Sequence, residues 1–251
     1  MEQTQQFSGK AEMYSRFRPS YPEEYVDDLI RRSGVSVDSL IADIGAGTGI
    51  LTAQLIDRGL HVVAVEPNAD MRNSAAQALG DSRRCTIING TAEDTGIAPH
   101  SVDLITVAQA FHWFDHVRFK AECRRILRED RYVVLVWNSR DAGSELVQAN
   151  AELCKRLCPA FKGFSGGIED NPEVYADFFR DGEFDFQVFA NPLQMDREGF
   201  VGRNLSASYA PKPSDEHYET FVRAVNALFD TYSCEGLLTM PNLTRSYMGR
   251  V

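Results

Sequence analysis

Three glycines and one carboxylate have residue types and a spacing suited to ligand chemistry. Gly45, Gly47 and Gly49 occupy alternate positions directly after a short apolar run, residues 40–44, that contains Asp43. Glycine adopts positive φ at no steric cost and lets a ligand lie against the backbone. The residues that follow have apolar positions at helical spacing, and a helix there would direct its free N–H groups and positive dipole end toward the glycines. The pattern predicts a site for a nucleotide-type cofactor.

Two common phosphate-binding patterns fit this stretch poorly. The dinucleotide fingerprint G-x-G-x-x-G would need glycine at position 50, where the chain has Ile50. A Walker loop would need Gly-Lys-Ser/Thr, and no lysine lies nearby. Asp43, two residues before the first glycine, would repel a pyrophosphate but would suit a cationic ligand group. The stretch therefore favours a cofactor with positive charge and without phosphate.

The sequence DIGAGTG at residues 43–49 resembles the first motif, D/E-x-G-x-G-x-G, of class I (type 11) S-adenosylmethionine-dependent methyltransferases. S-adenosylmethionine carries an ammonium and a sulfonium and no phosphate. The resemblance extends over residues 11–136, to the ubiquinone-biosynthesis-like and trans-aconitate-methyltransferase-like branch. It implies S-adenosyl-L-methionine as the cofactor. The turn residues implied to bind it are Asp43, Gly45, Ala46, Gly47 and Gly49.

The resemblance also implies a fold class: α/β, with a Rossmann-like seven-stranded mixed sheet, helices on both faces, an antiparallel last strand, an N-terminal arm and a helical lid. Residues 1–251 would form a single methyltransferase domain, with a cap at 1–30, a cofactor-binding core at 39–138 and a lid insertion at 191–235. Strand–helix alternation in the first half agrees with this class. The predicted strands are 40–44, 61–66, 85–89, 101–107, 132–137, 184–190 and a last one within 237–250. One predicted helix begins at Pro22. Others span 69–79, 115–127, 144–157, 172–180 and about 214–232.

Glu66 ends the second predicted strand, and Pro67 and Asn68 follow it. An acid at this position of a nucleotide-binding unit accepts hydrogen bonds from ribose hydroxyls. The alternative is a carboxylate that caps the helix beginning near Asn68. Met71, in that helix, is placed to lie against an adenine ring or to serve as a core residue.

Residues 90–93, Gly-Thr-Ala-Glu, resemble the family's adenine-contacting segment, which often reads G-D-A-E. Thr91 replaces the acid of that pattern. The resemblance therefore leaves three candidates for contact with the adenine amino group: the Thr91 hydroxyl, Glu93, or backbone groups around Ala92. Gln109 follows the fourth strand, whose carboxyl end is expected to border the reacting centre.

His112, Trp113 and Tyr14 are the candidate residues at the reacting centre. Methyl transfer from a sulfonium is an in-line displacement, so the protein must mainly align the reactants and exclude water. A base helps only where the acceptor must lose a proton. His112 is the first candidate base, or else a histidine that shapes the pocket. Trp113 is expected to line the pocket and face the sulfonium, and Asp115 to cap the next helix.

The segment containing Tyr14 and Arg18 resembles the N-terminal cap, Y-x-x-x-R-P-x-Y-P, of one branch of the family. The resemblance implies that Arg18 pairs with the carboxylate of the cofactor in a bidentate hydrogen bond. The alternative is a surface arm whose aromatic residues pack on the sheet.

Composition limits the partners. The net charge of −10 argues against nucleic acid and anionic membranes, because those contacts depend on Lys and Arg. No apolar run reaches membrane-spanning length, and the N-terminus lacks an apolar signal core, so we expect a cytoplasmic protein. The five cysteines are scattered and lack a partner pair at zinc spacing, which predicts reduced thiols and no metal site.

Aromatic residues gather after the fourth strand, in the arm and in the late insertion, for example Phe111 and Phe200. They predict an apolar pocket for a small-molecule acceptor, methylated at oxygen, nitrogen or carbon. Arg18, Arg203 and His112 could orient a carboxylate or phenolate there. The alternatives are an RNA or protein methyltransferase, a nicotinamide oxidoreductase and a protein that binds the cofactor without turnover. The oligomeric state is left open.

Overall fold

The computed structural model describes residues 19–164, 173–207 and 209–251. These residues form two compact units. The first, which we call the sheet unit, contains residues 19–137, 173–189 and 244–251. The second, the helical unit, contains residues 138–164, 190–207 and 209–243.

The strands and helices follow the predicted alternation closely. The strands are β1 Leu40–Ile44, β2 His61–Val65, β3 Cys85–Ile88, β4 Val102–Ala108, β5 Leu127–Arg140, β6 Phe184–Ala190, β7 Leu193–Met195, β8 Leu238–Met240 and β9 Asn242–Gly249. The helices are α1 Glu23–Ser33, α2 Ile50–Asp57, α3 Ala69–Leu79, α4 His116–Ile126, α5 Glu145–Leu157, α6 Glu173–Ala176, α7 Arg197–Leu205 and α8 Tyr218–Tyr232.

Seven strands form one sheet in the order β3-β2-β1-β4-β5-β9-β6. The pairs β1–β2, β1–β4, β2–β3 and β4–β5 are parallel, and the last strand, β9, is antiparallel. Ile41 of β1 pairs with Val62 on one side and Leu104 on the other. The chain therefore reverses its direction of winding between β1 and β4, which is where ligands bind in open α/β sheets. The predicted Rossmann-like seven-stranded mixed sheet with helices and an antiparallel last strand is confirmed.

Both faces of this sheet are buried. Successive residues of β4 and β5 enter opposite hydrophobic clusters, as Leu104 and Ile105 do. Helix α4 covers the face that contains Ile105, and α1 and α2 contribute to the cluster on the face that contains Leu104. Parallel strands covered in this way are continuous apolar runs, which explains why they were predictable from the sequence.

Two predictions of local structure were wrong. Residues 173–180 do not form one helix, because α6 ends at Ala176 and a separate turn of 3-10 helix, Arg180–Gly182, follows. The Arg180 N–H donates to the Arg250 carbonyl at 2.7 Å. These residues are far apart in the sequence, so a helical pattern of residues cannot indicate the contact. The last helix begins at Tyr218 instead of 214, since Asp215 accepts from the Lys212 N–H and closes a turn before it.

The helical unit has its own core. Helices α5, α7 and α8 and the antiparallel ribbon β7–β8 contribute its buried residues. Phe200, which was expected to line a pocket, is fully buried there, and Phe111 is equally buried in the sheet unit. Both are core residues. Within the described residues, no helix combines the length and apolar character needed to cross a bilayer.

Candidate functional site

The glycine turn is fixed to the end of β2. The N–H groups of Gly45 and Ala46 both donate to the Val65 carbonyl, at 2.9 and 3.1 Å. Gly45, Gly47 and Gly49 have φ of +70°, +58° and +82°, so each adopts the left-handed conformation that favours glycine. Helix α2 begins directly after Gly49.

The three glycines differ in what surrounds them. A methyl group at Gly45 would lie 2.7 Å from the Ala110 Cβ, and one at Gly49 would lie 3.1 Å from the Leu79 Cδ1. A methyl group at Gly47 would meet no atom within 4 Å. Gly45 and Gly49 therefore permit close packing, while Gly47 borders open space into which a ligand can fit.

Glu66 connects this turn to the next helix. Its Oε2 accepts a hydrogen bond from the Gly47 N–H at 2.9 Å, and its Oε1 accepts from the Asn68 N–H at 2.8 Å. The side chain is 8% exposed. Burial raises the pKa of Glu66, and the hydrogen bonds from Asn68 and Gly47 oppose this increase. The arrangement places a buried carboxylate directly beside the glycine that borders open space.

Asn68 caps helix α3, because its side chain accepts from the Met71 N–H at 3.0 Å. The N-cap of α3 is therefore Asn68 and not Glu66. Glu66 instead accepts a hydrogen bond from the Asn68 N–H. Met71 is buried, and Pro67 is half-buried between the acid and the cap. Arg72 donates to the Glu66 carbonyl at 2.8 Å and so fixes the backbone of this corner.

Asp43 is buried behind the turn and is 1% exposed. The Thr52 hydroxyl of α2 donates to its Oδ2 at 2.6 Å, and the Thr106 hydroxyl of β4 donates to its Oδ1 at 2.9 Å. Burial raises the pKa of Asp43 to about 6, against the lowering effect of both hydrogen bonds, and the charge of Glu66 adds to the increase. Asp43 thus joins β1, α2 and β4 at the switch point and holds a negative charge behind the glycines.

The segment after β3 forms a closed turn. The Thr91 N–H donates to the Asp94 carbonyl at 3.1 Å, and the Asp94 N–H donates to the Thr91 hydroxyl at 3.2 Å. Ala92 is buried, and the Glu93 Oε1 accepts from the Asp115 N–H at 2.9 Å. Glu93 is therefore already held by the start of α4, whereas Thr91 is exposed.

The residues after β4 present aromatic groups. Gln109 has φ of +59°, and its N–H donates to the Val136 carbonyl at 2.9 Å. His112 and Trp113 form a 3-10 turn with Phe111; both are exposed, and their rings lie 4.8 Å apart. Asp115 caps α4 as predicted, accepting from the N–H groups of residues 117 and 118.

Known proteins that are similar to this chain are methyltransferases. Residues 42–135 match the family model described as a methyltransferase domain. An uncharacterised methyltransferase of Mycobacterium bovis is 40% identical over 150 residues, which are 60% of this chain and 59% of that protein. A structure from Anaeromyxobacter dehalogenans, provisionally described as a type II methyltransferase, superposes with a TM-score of 0.67 at 23% identity, covering 93% of this chain and 98% of that one. Over residues 42–135 the chain is therefore similar to the methyltransferase domain family, and it shares the fold of the Anaeromyxobacter dehalogenans structure.

A further solved structure of the same fold contains bound ligands. The phosphoethanolamine N-methyltransferase 2 of Haemonchus contortus, in complex with phosphomonomethylethanolamine and S-adenosylhomocysteine, superposes with a TM-score of 0.55 at 15% identity. The match covers 100% of this chain and 59% of that one. The chain also matches only about three fifths of the length of the Mycobacterium bovis relative.

The methyltransferase family match contains most of the predicted site. All predicted site residues from Asp43 to Trp113 lie inside it and belong to the sheet unit. Tyr14 and Arg18 lie outside the described residues. The helical unit lies entirely outside the family match.

Sequence reasoning missed three residues that hold this site together. Thr52, Thr106 and Arg72 fix the carboxylate of Asp43 and the backbone of Glu66. Thr52 and Arg72 lie in the helices that follow the turn and Glu66, so helical spacing could have suggested them. Thr106 is 63 residues from Asp43. Its contact depends on the order of the strands, which local sequence does not specify.

Proposed function

We propose that this protein transfers the methyl group of S-adenosyl-L-methionine to a small-molecule acceptor. One observation supports this most: the buried Glu66 carboxylate is bonded to the N–H of Gly47, the glycine beside open space. A carboxylate accepts hydrogen bonds from two ribose hydroxyls, and a glycine without a side chain allows close approach. A ribose and its attached chain therefore fit this corner.

The charge of the site favours a cationic ligand over a pyrophosphate. Asp43 and Glu66 both lie at the turn, and the charge of Glu66 contributes to the raised pKa of Asp43. No lysine lies in the turn. When bound, S-adenosylmethionine supplies a methyl group already activated by its sulfonium. The bound S-adenosylhomocysteine of the Haemonchus contortus enzyme supports the same cofactor here.

The remaining roles are part of the proposal. Thr91, Ala92 and Glu93 border the adenine, with Met71 against the ring. Gln109, His112 and Trp113 border the methyl group, where Trp113 faces the sulfonium and His112 accepts a proton if the acceptor must lose one. Arg18 and Tyr14 act from the cap at 1–30, and residues 191–235 act as a lid.

The acceptor is a small molecule methylated at oxygen, nitrogen or carbon, and the protein acts in the cytoplasm. The net charge of −10 supports a small acceptor over RNA. The small ligand phosphomonomethylethanolamine in a protein of the same fold supports it as well.

The test is a turnover screen with methyl-labelled S-adenosylmethionine. The panel contains small acids, phenols and amines, with total RNA and a peptide mixture as separate arms. We expect release of S-adenosylhomocysteine with one class of small molecule and none in Gly47→Val. Label only in RNA or peptide would favour a macromolecular substrate, and binding without turnover in any arm would favour a sensor.

A further inference from the structure

Arg140, the last residue of β5, is a half-buried cation in the helical unit. Its Cζ lies 3.9 Å from the centroid of the Phe164 ring. Its Nε is buried and has no hydrogen-bond partner. The guanidinium therefore lies over an aromatic ring, and its buried Nε donor is unsatisfied.

The polar groups around Arg140 are uncharged at neutral pH. Tyr209 and Cys154 are the neighbours that act on it electrostatically. Burial raises the pKa of Tyr209 to about 12 and that of Cys154 to about 12, so both keep their protons. Burial also lowers the pKa of Arg140. In the part of the chain that the structure describes, no carboxylate forms an ion pair with it.

Other arginines of the described chain differ in this respect. Arg128 donates to both oxygens of Asp103 at 2.8 Å, and Arg125 donates to both oxygens of Glu122 at 2.7 Å. Taking a charge out of water is unfavourable unless an opposite charge and hydrogen bonds compensate. Arg140 is half-buried and has no carboxylate partner among residues 19–164, 173–207 and 209–251, which points to an anion that arrives with a ligand.

We propose that Arg140 binds a carboxylate of the acceptor, through Nε and one Nη, with the Tyr209 hydroxyl beside it. This proposal rests on the proposed methyl transfer. A planar carboxylate matches the guanidinium edge in a bidentate pair. The surroundings suit an organic acid, because Phe164 lies under the guanidinium and Phe161 lies against Tyr209, with ring centroids 4.8 Å apart.

The acceptor is favoured over the cofactor as the source of this carboxylate. The candidate cofactor residues of the described chain belong to the sheet unit and to the family match, which ends at residue 135. Arg140 and Tyr209 lie beyond that match, in the helical unit. Arg203 adds positive potential, since its charge favours the ionised form of Tyr209.

The first test compares two arginines of the full chain that both lie over a phenylalanine ring. Arg197 lies 4.6 Å from the Phe229 centroid, is 49% exposed and pairs with Asp230. Arg140→Met should raise the midpoint of ligand-free thermal unfolding by about 2–4 °C, because it removes a partly desolvated charge that no described carboxylate pairs with. Arg197→Met should change it by about 1 °C or less. A lower midpoint in Arg140→Met would show a structural role and overturn the proposal.

The second test uses acetate, benzoate and fumarate as probes, each paired with its neutral amide. We expect at least one carboxylate, and not its amide, to raise the unfolding midpoint of the wild type. Arg140→Met should abolish this shift, Arg140→Lys should retain part of it, and Arg197→Met should retain all of it. No shift in the wild type, or the same shift in Arg140→Met, would overturn the proposal.

A titration with S-adenosylhomocysteine separates this proposal from the one on which it rests. Arg140→Met should bind S-adenosylhomocysteine like the wild type. A loss of about tenfold or more would assign Arg140 to the cofactor and overturn the proposal. If the wild type does not bind S-adenosylhomocysteine, methyl transfer fails as the function, and the carboxylate probes still decide whether Arg140 binds an anion.

Discussion

Replacing Gly47 by alanine separates the cost of backbone strain from the loss of a ligand site. Gly47 and Gly34 have φ of +58° and +68°, and a methyl group at either position would meet no protein atom within 4 Å. Gly34 ends helix α1 and contributes nothing to the glycine turn. Alanine in this conformation costs roughly 1–2 kcal/mol. Both variants should therefore lose about 2–8 °C in the midpoint of thermal unfolding.

Ligand affinity should distinguish the two variants. At position 47 the methyl group enters the space that we assign to the cofactor, and overpacking of about 1–3 kcal/mol corresponds to roughly 5- to 150-fold weaker binding. Calorimetry with S-adenosylhomocysteine should show this loss in Gly47→Ala, a larger loss in Gly47→Val, and wild-type affinity in Gly34→Ala. Equal affinity in all four proteins, or equal loss in both alanine variants, would refute the reasoning.

Three further substitutions test the neighbouring contacts. Glu66→Ala removes a charged hydrogen-bond acceptor worth on the order of 1.5–3 kcal/mol, so S-adenosylhomocysteine should bind about 10- to 150-fold more weakly by calorimetry; an unchanged dissociation constant would limit Glu66 to holding the turn. Asp43 has a pKa raised to about 6 from 3.8, so its contribution to stability is present below pH 4 and is lost as the pH rises through 6. Asp43→Asn should therefore gain up to about 3 kcal/mol relative to the wild type between pH 4 and 7 in urea unfolding, and a difference independent of pH would contradict this. Gly45→Ala, whose methyl group would lie 2.7 Å from Ala110, should lose about 2–5 kcal/mol in the same assay, and wild-type stability would show that the turn can relax.

The sheet was predictable from the sequence because its signals are local. The strands are apolar runs, and the glycine turn, Asn68 and Asp115 each mark the start of a helix by residue type. The predicted helix at 69–79 and strand at 184–190 have the observed bounds. These elements are specified by neighbours in the chain, so periodicity and capping preferences describe them well.

The parts that were missed depend on contacts between distant residues. The ribbon β7–β8 pairs Leu193 with Met240, and its strands are too short to show a period. The hydroxyl of Thr106 reaches Asp43 only because β1 and β4 are neighbours in the sheet. Arg140 follows the predicted strand at 132–137 and resembles a solvated charge in the sequence, and only the packing of the helical unit shows that its Nε is buried.

The central claim is that the corner formed by Gly47 and Glu66 binds S-adenosylmethionine. The most direct measurement is calorimetric titration of the full chain with S-adenosylhomocysteine and, separately, with NAD. We predict saturable binding of S-adenosylhomocysteine at one site, no binding of NAD, and marked weakening in Glu66→Ala. Binding of NAD with no response to S-adenosylhomocysteine would contradict the account and favour an oxidoreductase.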